Sequence, residues 1–223
     1  MPYIDFMSVV HKSTARNYLA RVNEPSYPKA KAAELAKKWA FDYWDGDRRI
    51  NYGGYSYMEG RWEKVARLMA AHYGIKPGDK ILDVGCGKGF LLFDFTKVVP
   101  GVEVYGIDIS EYAIENCKEE VKERLQVANA TALPFPDHHF DFVFTLNTLH
   151  NLHNYDLDKA LCEIERVGKH DKYICVESYR NEVEKANLLY WQVTCETFCT
   201  PKEWEWWFEQ TSYTGDYSFI YFE

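Results

Sequence analysis

A turn that carries three glycines constrains the fold of this chain more than any other feature. The segment Asp83-Val-Gly-Cys-Gly-Lys-Gly89 follows the apolar run 80–84 and precedes the stretch 90–99, whose length is typical of a helix. Glycine has no Cβ atom, so the backbone can turn sharply at these positions and come close to a ligand. The sequence therefore predicts a strand, a tight turn and a helix, with a ligand held at the turn.

Short apolar runs alternate with helical stretches through the middle of the chain. Strands are predicted at 80–84, 103–107, 125–128, 140–145 and 172–177. Helices are predicted between them at 90–99, 110–124 and 156–167. Ser110 is a typical residue for the start of the second of these helices. The alternation predicts an α/β fold, with a doubly wound, mostly parallel sheet and helices on both faces.

The region before the first strand, residues 1–79, is predicted to form an N-terminal helical cap or lid. Helices are predicted at 29–41 and 60–73, and the segment 45–57 between them is rich in glycine and tyrosine. Eight aromatic residues lie within 39–62. Aromatic side chains bury large apolar areas, so this region is expected to pack on the core.

The region after the fifth strand, residues 178–223, is predicted to add one or two helices and a last strand at 217–222. It is again rich in aromatic residues, with eleven among the last 33 residues. At 223 residues and without a visible linker or repeat, the chain is expected to form a single domain over residues 1–223. In that domain, residues 1–79 are the cap and residues 80–223 are the core with its aromatic C-terminal segment.

The charge balance excludes some classes of partner. The chain has 26 Lys and Arg against 34 Asp and Glu, which gives a formal net charge of −8. A protein that binds duplex nucleic acid needs clustered basic residues, so no nucleic-acid partner is expected. No stretch approaches the roughly 20 apolar residues of a membrane helix, and the start has no basic segment followed by an apolar run. We expect a cytoplasmic protein without a membrane partner.

No metal site is expected. The six cysteines are scattered without a CxxC pair, which a four-thiolate zinc site usually has. His150 and His153 have a spacing that suits a metal, but the sequence offers no evident third ligand.

Polar residues at the ends of the first three strands point to a ligand that contains a nucleoside. Asp108 ends the second strand, 25 residues after Asp83, and its carboxylate can accept hydrogen bonds from both ribose hydroxyls. Asn129 and Ala130 end the third strand, where they can face a base. A dinucleotide-binding turn has the pattern GxGxxG, whereas the third glycine here is Gly89, one position earlier.

These motifs together resemble those of the class I S-adenosylmethionine-dependent methyltransferases of small-molecule type. The segments that carry the resemblance are Asp83–Gly89, Gly106-Ile-Asp-Ile-Ser110, Ala128-Asn-Ala130, Leu133-Pro-Phe-Pro-Asp137 and Phe140-Asp-Phe-Val-Phe144. The resemblance covers about residues 60–180. It implies a Rossmann-like fold and S-adenosylmethionine as the cofactor.

The resemblance also implies which residues bind this cofactor at the glycine turn. Gly85, Gly87 and Gly89, with Cys86 between them, would line the methionine moiety, and Asp83 would organise the loop.

Residues further along the chain would bind the nucleoside. Asp108 would bind the ribose, Ile109 would pack on the adenine, and Asn129 with Ala130 would contact the adenine edge. Asn147, just past the fourth strand, would lie beside the sulfonium.

Two cofactor contacts are expected from the N-terminal region. Tyr52 belongs to a segment that would fold over the cofactor as a lid. Arg61 could pair with the cofactor's carboxylate.

The chain departs from the family pattern in two places. Asn129 stands where the family often has Asp, although an amide can still contact adenine. The family usually ends its sheet with an antiparallel hairpin, whereas one strand is evident here after Glu177. The sheet edge is therefore expected to be altered, or completed by a second subunit in a homodimer.

The predicted reaction is transfer of the methyl group from S-adenosylmethionine to an O or N nucleophile of a small-molecule acceptor. His150, His153 and Tyr179 are the candidate catalytic residues, because they follow strands four and five at the crevice. A neutral imidazole can act as a general base, although an amine acceptor needs none. Glu177 is a further residue that can orient an acceptor.

Other interpretations remain open at this point. The aromatic segment 200–208 either walls the acceptor pocket or packs Trp204 and Trp207 on the sheet. The protein could also be a non-catalytic S-adenosylmethionine-binding partner in a complex. A spermidine-synthase-like aminopropyltransferase would need paired aspartates after strand four, where Asn147 and Thr148 stand instead.

Overall fold

A sheet of six parallel strands forms the centre of the molecule. The computed structural model describes residues 1–11, 17–22, 25–53 and 55–223. The strands are β1 Lys80–Val84, β2 Glu103–Asp108, β3 Leu125–Val127, β4 Phe140–Leu146, β5 Gly168–Glu177 and β6 Asp216–Ile220. Their order is β3-β2-β1-β4-β5-β6, and every neighbouring pair is parallel. Strands β1 to β3 are added towards one edge of the sheet and β4 to β6 towards the other, so the strand order reverses between β1 and β4. Such a reversal opens a crevice at the carboxyl ends of these two strands.

The helices lie between and before the strands. In the described ranges they are α1 Tyr18–Val22, α2 Lys29–Ala36, α3 Phe41–Trp44, α4 Glu63–Tyr73, α5 Phe90–Val98, α6 Glu111–Glu115, α7 Asn154–Val167, α8 Glu182–Trp191 and α9 Pro201–Gln210. Glu119–Arg124 and Leu149–Asn151 are short 3-10 helices.

Helices cover both faces of the sheet, as the nearly continuous apolar sequence of β4 predicts. Phe142 and Phe144 are buried in a core with α4 and α5 on one face. Val143 is buried in a second core with α7 and α9 on the other face. Successive side chains of a strand point to opposite faces, so a strand between two helical layers has apolar residues on both faces. The predicted doubly wound fold is confirmed.

The single helix predicted for residues 110–124 is wrong. Ser110 caps the helix as expected, because its Oγ accepts a hydrogen bond from the Ala113 amide at 3.0 Å. The helix nevertheless ends at Glu115, and the chain resumes as a 3-10 helix. Between them the Lys118 amide donates to the carbonyl oxygen of Lys88 at 2.9 Å, which ties this segment to the glycine turn.

The helix predicted for residues 29–41 is also divided. Helix α2 ends at Ala36, and Trp39 has a φ of +53°, which is uncommon for a residue with a side chain. The chain reverses there and begins the short helix α3. This reversal directs Trp44 towards the glycine turn, where a Cβ atom added to Gly87 would lie 2.8 Å from its indole ring.

The sheet ends in a way that differs from an antiparallel hairpin. The last strand, β6, pairs in parallel with β5, and in the described ranges it is the one strand after Glu177. Tyr3 pairs with Tyr217 of β6, and the Ile4 amide donates to the Tyr217 carbonyl oxygen at 2.9 Å. The start of the chain thus contacts the outer strand. A homodimer stays a prediction.

Among the helices in the described ranges, none has the length and apolar character needed to cross a membrane.

Candidate functional site

A cavity of about 730 Å³ opens at the carboxyl ends of β1, β2, β4 and β5, in the crevice where the strand order reverses. Its volume is within the range of small-molecule and cofactor sites. The sheet and its loops form the floor, and the aromatic residues of the N-terminal region form much of the wall.

A side chain at the first glycine of the turn would be strained and would clash with the segment after β4. Gly85 has a φ of +84°, and a Cβ atom there would lie 2.1 Å from Oγ1 of Thr148. The amides of Gly85 and Cys86 both donate to the Ile107 carbonyl oxygen, at 2.8 and 2.9 Å. These hydrogen bonds hold the turn beside the end of β2, and the backbone of the turn lines the cavity.

Asp108 is fixed by the same turn. Its Oδ2 accepts from the Gly87 amide and its Oδ1 from the Ser110 amide, each at 2.8 Å. Burial raises the pKa of Asp108, and these backbone donors oppose the rise. An ionised carboxylate offers about four acceptor positions, so each oxygen of Asp108 can accept a further hydrogen bond from a ligand in the cavity.

Three side chains at the cavity carry buried oxygen atoms without a hydrogen-bond partner among the described residues. They are Oδ1 of Asp83, Oδ1 of Asn147 and Oδ1 of Asn151. Burial, together with the charge of Asp108, raises the pKa of Asp83 well above its usual range. Asn147 has a φ of +57°, a left-handed conformation. Buried polar atoms are normally hydrogen-bonded, so these three oxygens are available to a polar ligand.

The N-terminal cap is tied to the glycine turn by polar contacts. Nζ of Lys88 lies 2.7 Å from Oδ2 of Asp45, and Nε1 of Trp44 donates to Oγ of Ser110 at 2.8 Å. Tyr43 packs edge-to-face on Trp44, with ring centroids 5.1 Å apart. The cap therefore lies over the glycine-turn side of the cavity rather than extending into solvent.

A buried polar group lies at the opposite side of the cavity, at the end of β5. Nδ1 of His150 accepts from the Glu177 backbone amide at 3.4 Å, and Nε2 of His150 lies 3.7 Å from Oε2 of Glu177. The Gln192 amide group donates to Oε2 of Glu177, and the Tyr52 hydroxyl donates to Oε1 of Gln192 at 2.5 Å. Burial raises the pKa of Glu177 to about 8 and lowers the pKa of His150 to about 3.

A family model described as a methyltransferase domain matches residues 75–212, which is more than half of the chain. The chain belongs to this family.

Curated relatives of this methyltransferase domain match part of the chain. The demethylmenaquinone methyltransferase of Symbiobacterium thermophilum is 37% identical over 145 residues, which are 60% of this chain and 57% of the relative. The ubiquinone/menaquinone biosynthesis C-methyltransferase UbiE of Cupriavidus necator is 34% identical over 143 residues, or 60% of this chain and 58% of the relative. The chain spans little more than half the length of these relatives.

A solved structure shares the fold of the methyltransferase domain. The crystal structure of the YcgJ protein from Bacillus subtilis aligns with a TM-score of 0.55 and 24% sequence identity, over 66% of each chain. This likeness, with the sheet described above, bears out the expected Rossmann-like fold.

Most of the residues predicted for the site of this methyltransferase domain line the cavity described above. Those that do are Tyr52, Arg61, Asp83, Gly85, Cys86, Gly87, Asp108, Ile109, Asn129, Ala130, Asn147 and His150. They come from the cap, from the ends of β1, β2 and β4, and from the segment after β3.

Three predicted site residues do not line the cavity. Gly89 precedes α5, and a Cβ atom there would lie 2.7 Å from Cδ1 of Leu125, so this glycine allows close packing of the helix. His153 is exposed before α7, 5.5 Å from the ring of Tyr155. Tyr179 is buried in the core on the α4 and α5 face.

The aromatic segment 200–208 likewise lies away from the cavity. Trp204 is fully buried in the core with α7, and its Nε1 donates to the Glu177 carbonyl oxygen at 3.0 Å. Trp207 is partly buried on the same core. The alternative in which these residues pack on the sheet is therefore the observed one, and the aromatic cavity wall comes from the N-terminal cap and Trp191.

The prediction missed residues that the fold brings to the cavity from a distance. Trp44, Thr148, Trp191 and Gln192 all line it, and Glu177 belongs with them rather than being only an alternative. Glu177 could have been found from its place at the end of a predicted strand. Gln192 follows a helix without a motif, and no local pattern marks it.

In the described ranges, no three His, Cys, Asp or Glu side chains come together as ligands for a metal ion.

Proposed function

We propose that this protein binds S-adenosylmethionine in the cavity and transfers its methyl group to a small-molecule acceptor. The observation that carries the proposal is the pair of acids at the glycine turn. Asp108 is held by two backbone amides with acceptor positions to spare, and Asp83 has a buried oxygen without a partner among the described residues. A ribose and an ammonium group are donors that match these two acceptors.

Other cavity residues suit the remaining parts of the cofactor. Arg61 at the rim would bind its carboxylate, because a guanidinium matches the geometry of a carboxylate. Ile109, which is half exposed at the cavity, would pack on the adenine, and Asn129 with Ala130 would contact its edge. Oδ1 of Asn147 would face the sulfonium, where a polar oxygen stabilises positive charge.

The bound cofactor supplies a methyl group on a positively charged sulfur, which is transferred by direct displacement. The chain's own task is then to align the acceptor with that methyl group and to exclude water. We propose that residues 1–79 act as a cap for this purpose on a single domain of residues 1–223. The rings of Trp44, Tyr52 and Tyr55 at the cavity can also stabilise a cation.

The acceptor is proposed to be a small molecule that reacts through an O, N or C atom. The relatives support this class, since one is named for demethylmenaquinone and another is named a C-methyltransferase of quinone biosynthesis. The cavity supports it as well, because aromatic walls enclose a space too small for a macromolecule.

Calorimetry with S-adenosylhomocysteine tests the cofactor part of the proposal. The wild type should bind it, and Asp108→Asn should bind about tenfold to a hundredfold more weakly, because charge-assisted hydrogen bonds contribute about 1.5–3 kcal/mol. Asp171→Asn is the matched control, since this aspartate is exposed and does not line the cavity. A correctly folded wild type that releases no heat would refute the proposal.

Methyl transfer is tested with S-adenosylmethionine labelled on the methyl group and pools of small hydroxyl, amine and quinol compounds. A methylated product supports an enzyme. Binding of the cofactor without transfer to any pool would instead support a non-catalytic partner protein.

A further inference from the structure

His150 has no nitrogen free to take a proton from an acceptor. Its ring is buried and its lowered pKa keeps it neutral, so one ring nitrogen carries a proton and the other accepts a hydrogen bond. Nδ1 is the acceptor, because it accepts a hydrogen bond from the Glu177 backbone amide, with a distance of 3.4 Å between the two nitrogens. The proton is therefore on Nε2, and this N–H points towards Oε2 of Glu177, 3.7 Å away.

Glu177, unlike His150, has an atom that can accept a proton from an acceptor, and it lines the same cavity. Its carboxyl group is at the carboxyl end of β5 and is 8% exposed. Oε2 accepts a hydrogen bond from the side-chain amide of Gln192, whereas Oε1 has no hydrogen bond to the described residues. The group thus has one oxygen held in place and a second oxygen available to an acceptor in the cavity.

The position of this carboxyl group is set by a chain of hydrogen bonds. Gln192 donates to Glu177, and Tyr52 donates to Gln192. The Tyr52 hydroxyl oxygen also accepts from the amides of Val193 and Thr194, at 2.7 and 3.1 Å. The aromatic cap therefore fixes the side chain of Gln192, and through it the orientation of Glu177.

Glu177 forms no ion pair with a Lys or Arg of the described elements, although Arg48 and Arg61 line the same cavity. The titratable groups that face it are His150, Tyr52 and Tyr55 across the cavity, and the thiols Cys175 and Cys195. All of them are neutral near pH 7. Burial is therefore the main influence on the Glu177 carboxyl group, and it brings the pKa to about 8, near the pH at which a general base works best.

We infer that Glu177 is the residue that removes the acceptor's proton, that His150 and Gln192 are its positioning residues, and that the acceptor reacts through a hydroxyl oxygen. This inference rests on the proposed function. A neutral amine already has a free lone pair and gains little from a base, whereas a hydroxyl group becomes a strong nucleophile only as its proton leaves.

The proposed step is balanced within the cavity. The acceptor's O–H bond breaks and its proton passes to Oε1 of Glu177. The electron pair on the acceptor oxygen forms the new C–O bond to the methyl group. The C–S bond breaks with its electron pair left on sulfur, which becomes a neutral thioether. The proton on Glu177 then returns to solvent when the cavity opens.

The first test follows the Glu177 proton directly by infrared spectroscopy, with S-adenosylhomocysteine bound. The wild type should show the carbonyl band of a protonated carboxylic acid that disappears as the pH rises through about 8. Glu177→Gln should lack this band. The control Glu184→Gln should keep it, because Glu184 is buried but paired with Arg180 away from the cavity. A wild type without a band that titrates above pH 7 would overturn the inference.

The second test compares phenol and catechol with the amines of the same skeletons, aniline and o-phenylenediamine, using any hydroxyl acceptor found in the pool screen as well. Glu177→Gln should lower kcat for hydroxyl acceptors about 100-fold or more, without weakening S-adenosylhomocysteine binding. Glu177→Asp should restore part of the rate. The rise of the wild-type rate with pH should vanish in Glu177→Gln and shift in His150→Gln.

The outcomes separate the inference from the proposed function. If S-adenosylhomocysteine does not bind, or no compound is methylated, the proposed function fails and the inference fails with it. If the cofactor binds but only amines are methylated, or the new methyl group is found on carbon, or Glu177→Gln keeps the wild-type rate on hydroxyls, the inference alone is overturned.

Discussion

Alanine at Gly85 should destabilise the protein more than alanine at Gly78, although both glycines have almost the same backbone conformation. Their φ angles are +84° and +89°. A left-handed conformation costs a residue with a Cβ atom about 1–2 kcal/mol, and both variants share this cost. A Cβ atom at Gly78 would have no atom within 4 Å, so Gly78→Ala measures the conformational cost by itself.

Gly85→Ala adds a steric cost that arises from one neighbour. The new Cβ atom would lie 2.1 Å from Oγ1 and 2.7 Å from Cβ of Thr148. Overpacking of this kind costs about 1–3 kcal/mol, so the total for Gly85→Ala is about 2–5 kcal/mol. Thr148 belongs to the segment after β4, and both this segment and the glycine turn line the cavity. A shift that relieves the clash would therefore move the two apart and distort the cavity. S-adenosylhomocysteine binding should weaken in parallel.

Urea denaturation with a double-mutant cycle measures the steric part. Thr148→Gly removes the clashing atoms, so the two changes together should destabilise by about 1–3 kcal/mol less than the sum of the single variants. The urea dependence of the unfolding free energy should stay constant across the four proteins. Equal losses for Gly85→Ala and Gly78→Ala, or additive effects in the cycle, would show that the turn tolerates a side chain and would refute the reasoning.

Four further predictions concern single residues. Gly89→Ala should lower the unfolding free energy but leave calorimetric binding of S-adenosylhomocysteine unchanged, because Gly89 packs against Leu125 and Val121 and does not line the cavity; a large loss of affinity would contradict this. Tyr52→Phe should cost about 1–3 kcal/mol in urea denaturation, since two backbone amides and Gln192 lose their partner, and a cost near zero would count against that network. Burial raises the pKa of Glu177 to about 8, so its contribution to stability is full below the unfolded pKa and is lost as the pH rises from about 4.5 through 8; the stability of the wild type relative to Glu177→Gln should fall across this window. For His150, whose folded pKa is lowered to about 3, stability relative to His150→Gln should instead be lost as the pH falls from about 6.5, and a flat difference would show that the ring is solvated.

The parts of the fold that follow local rules were predictable from the sequence. The apolar run at β4 can be stable only between two layers, so it predicts a strand buried on both faces. The glycines before α5 predict a tight strand-to-helix turn, and Asp108 at the end of β2 faces the cavity as expected. Each of these inferences depends on residues that are neighbours along the chain.

Element ends were less predictable, because they depend on contacts between distant segments. Nothing in the residues 116–118 requires the helix to end after α6. It ends where the Lys118 amide donates a hydrogen bond to the carbonyl oxygen of Lys88. Nothing in the local sequence around Trp39 requires a left-handed residue there. A contact with the glycine turn overrides the helix propensity at Lys118, whereas at Trp39 the carbonyl oxygen accepts hydrogen bonds from Trp44 and Ser110.

The acceptor side of the cavity depended almost entirely on the tertiary structure. Histidines at positions 150 and 153 have the same type and lie three residues apart, yet one is buried beside Glu177 and the other is exposed. The aromatic cluster at 200–208 turned away from the cavity, and Trp191 reached it from the end of a helix.

By itself, the sequence determined the parallel sheet, the glycine turn and the acid that stands at the end of β2, because backbone conformation and burial act over a few residues. Only the tertiary structure decided which side chains meet across the cavity, and therefore the protonation states of His150 and Glu177. Burial and hydrogen bonds fix those states, and both come from segments that lie far apart in the chain.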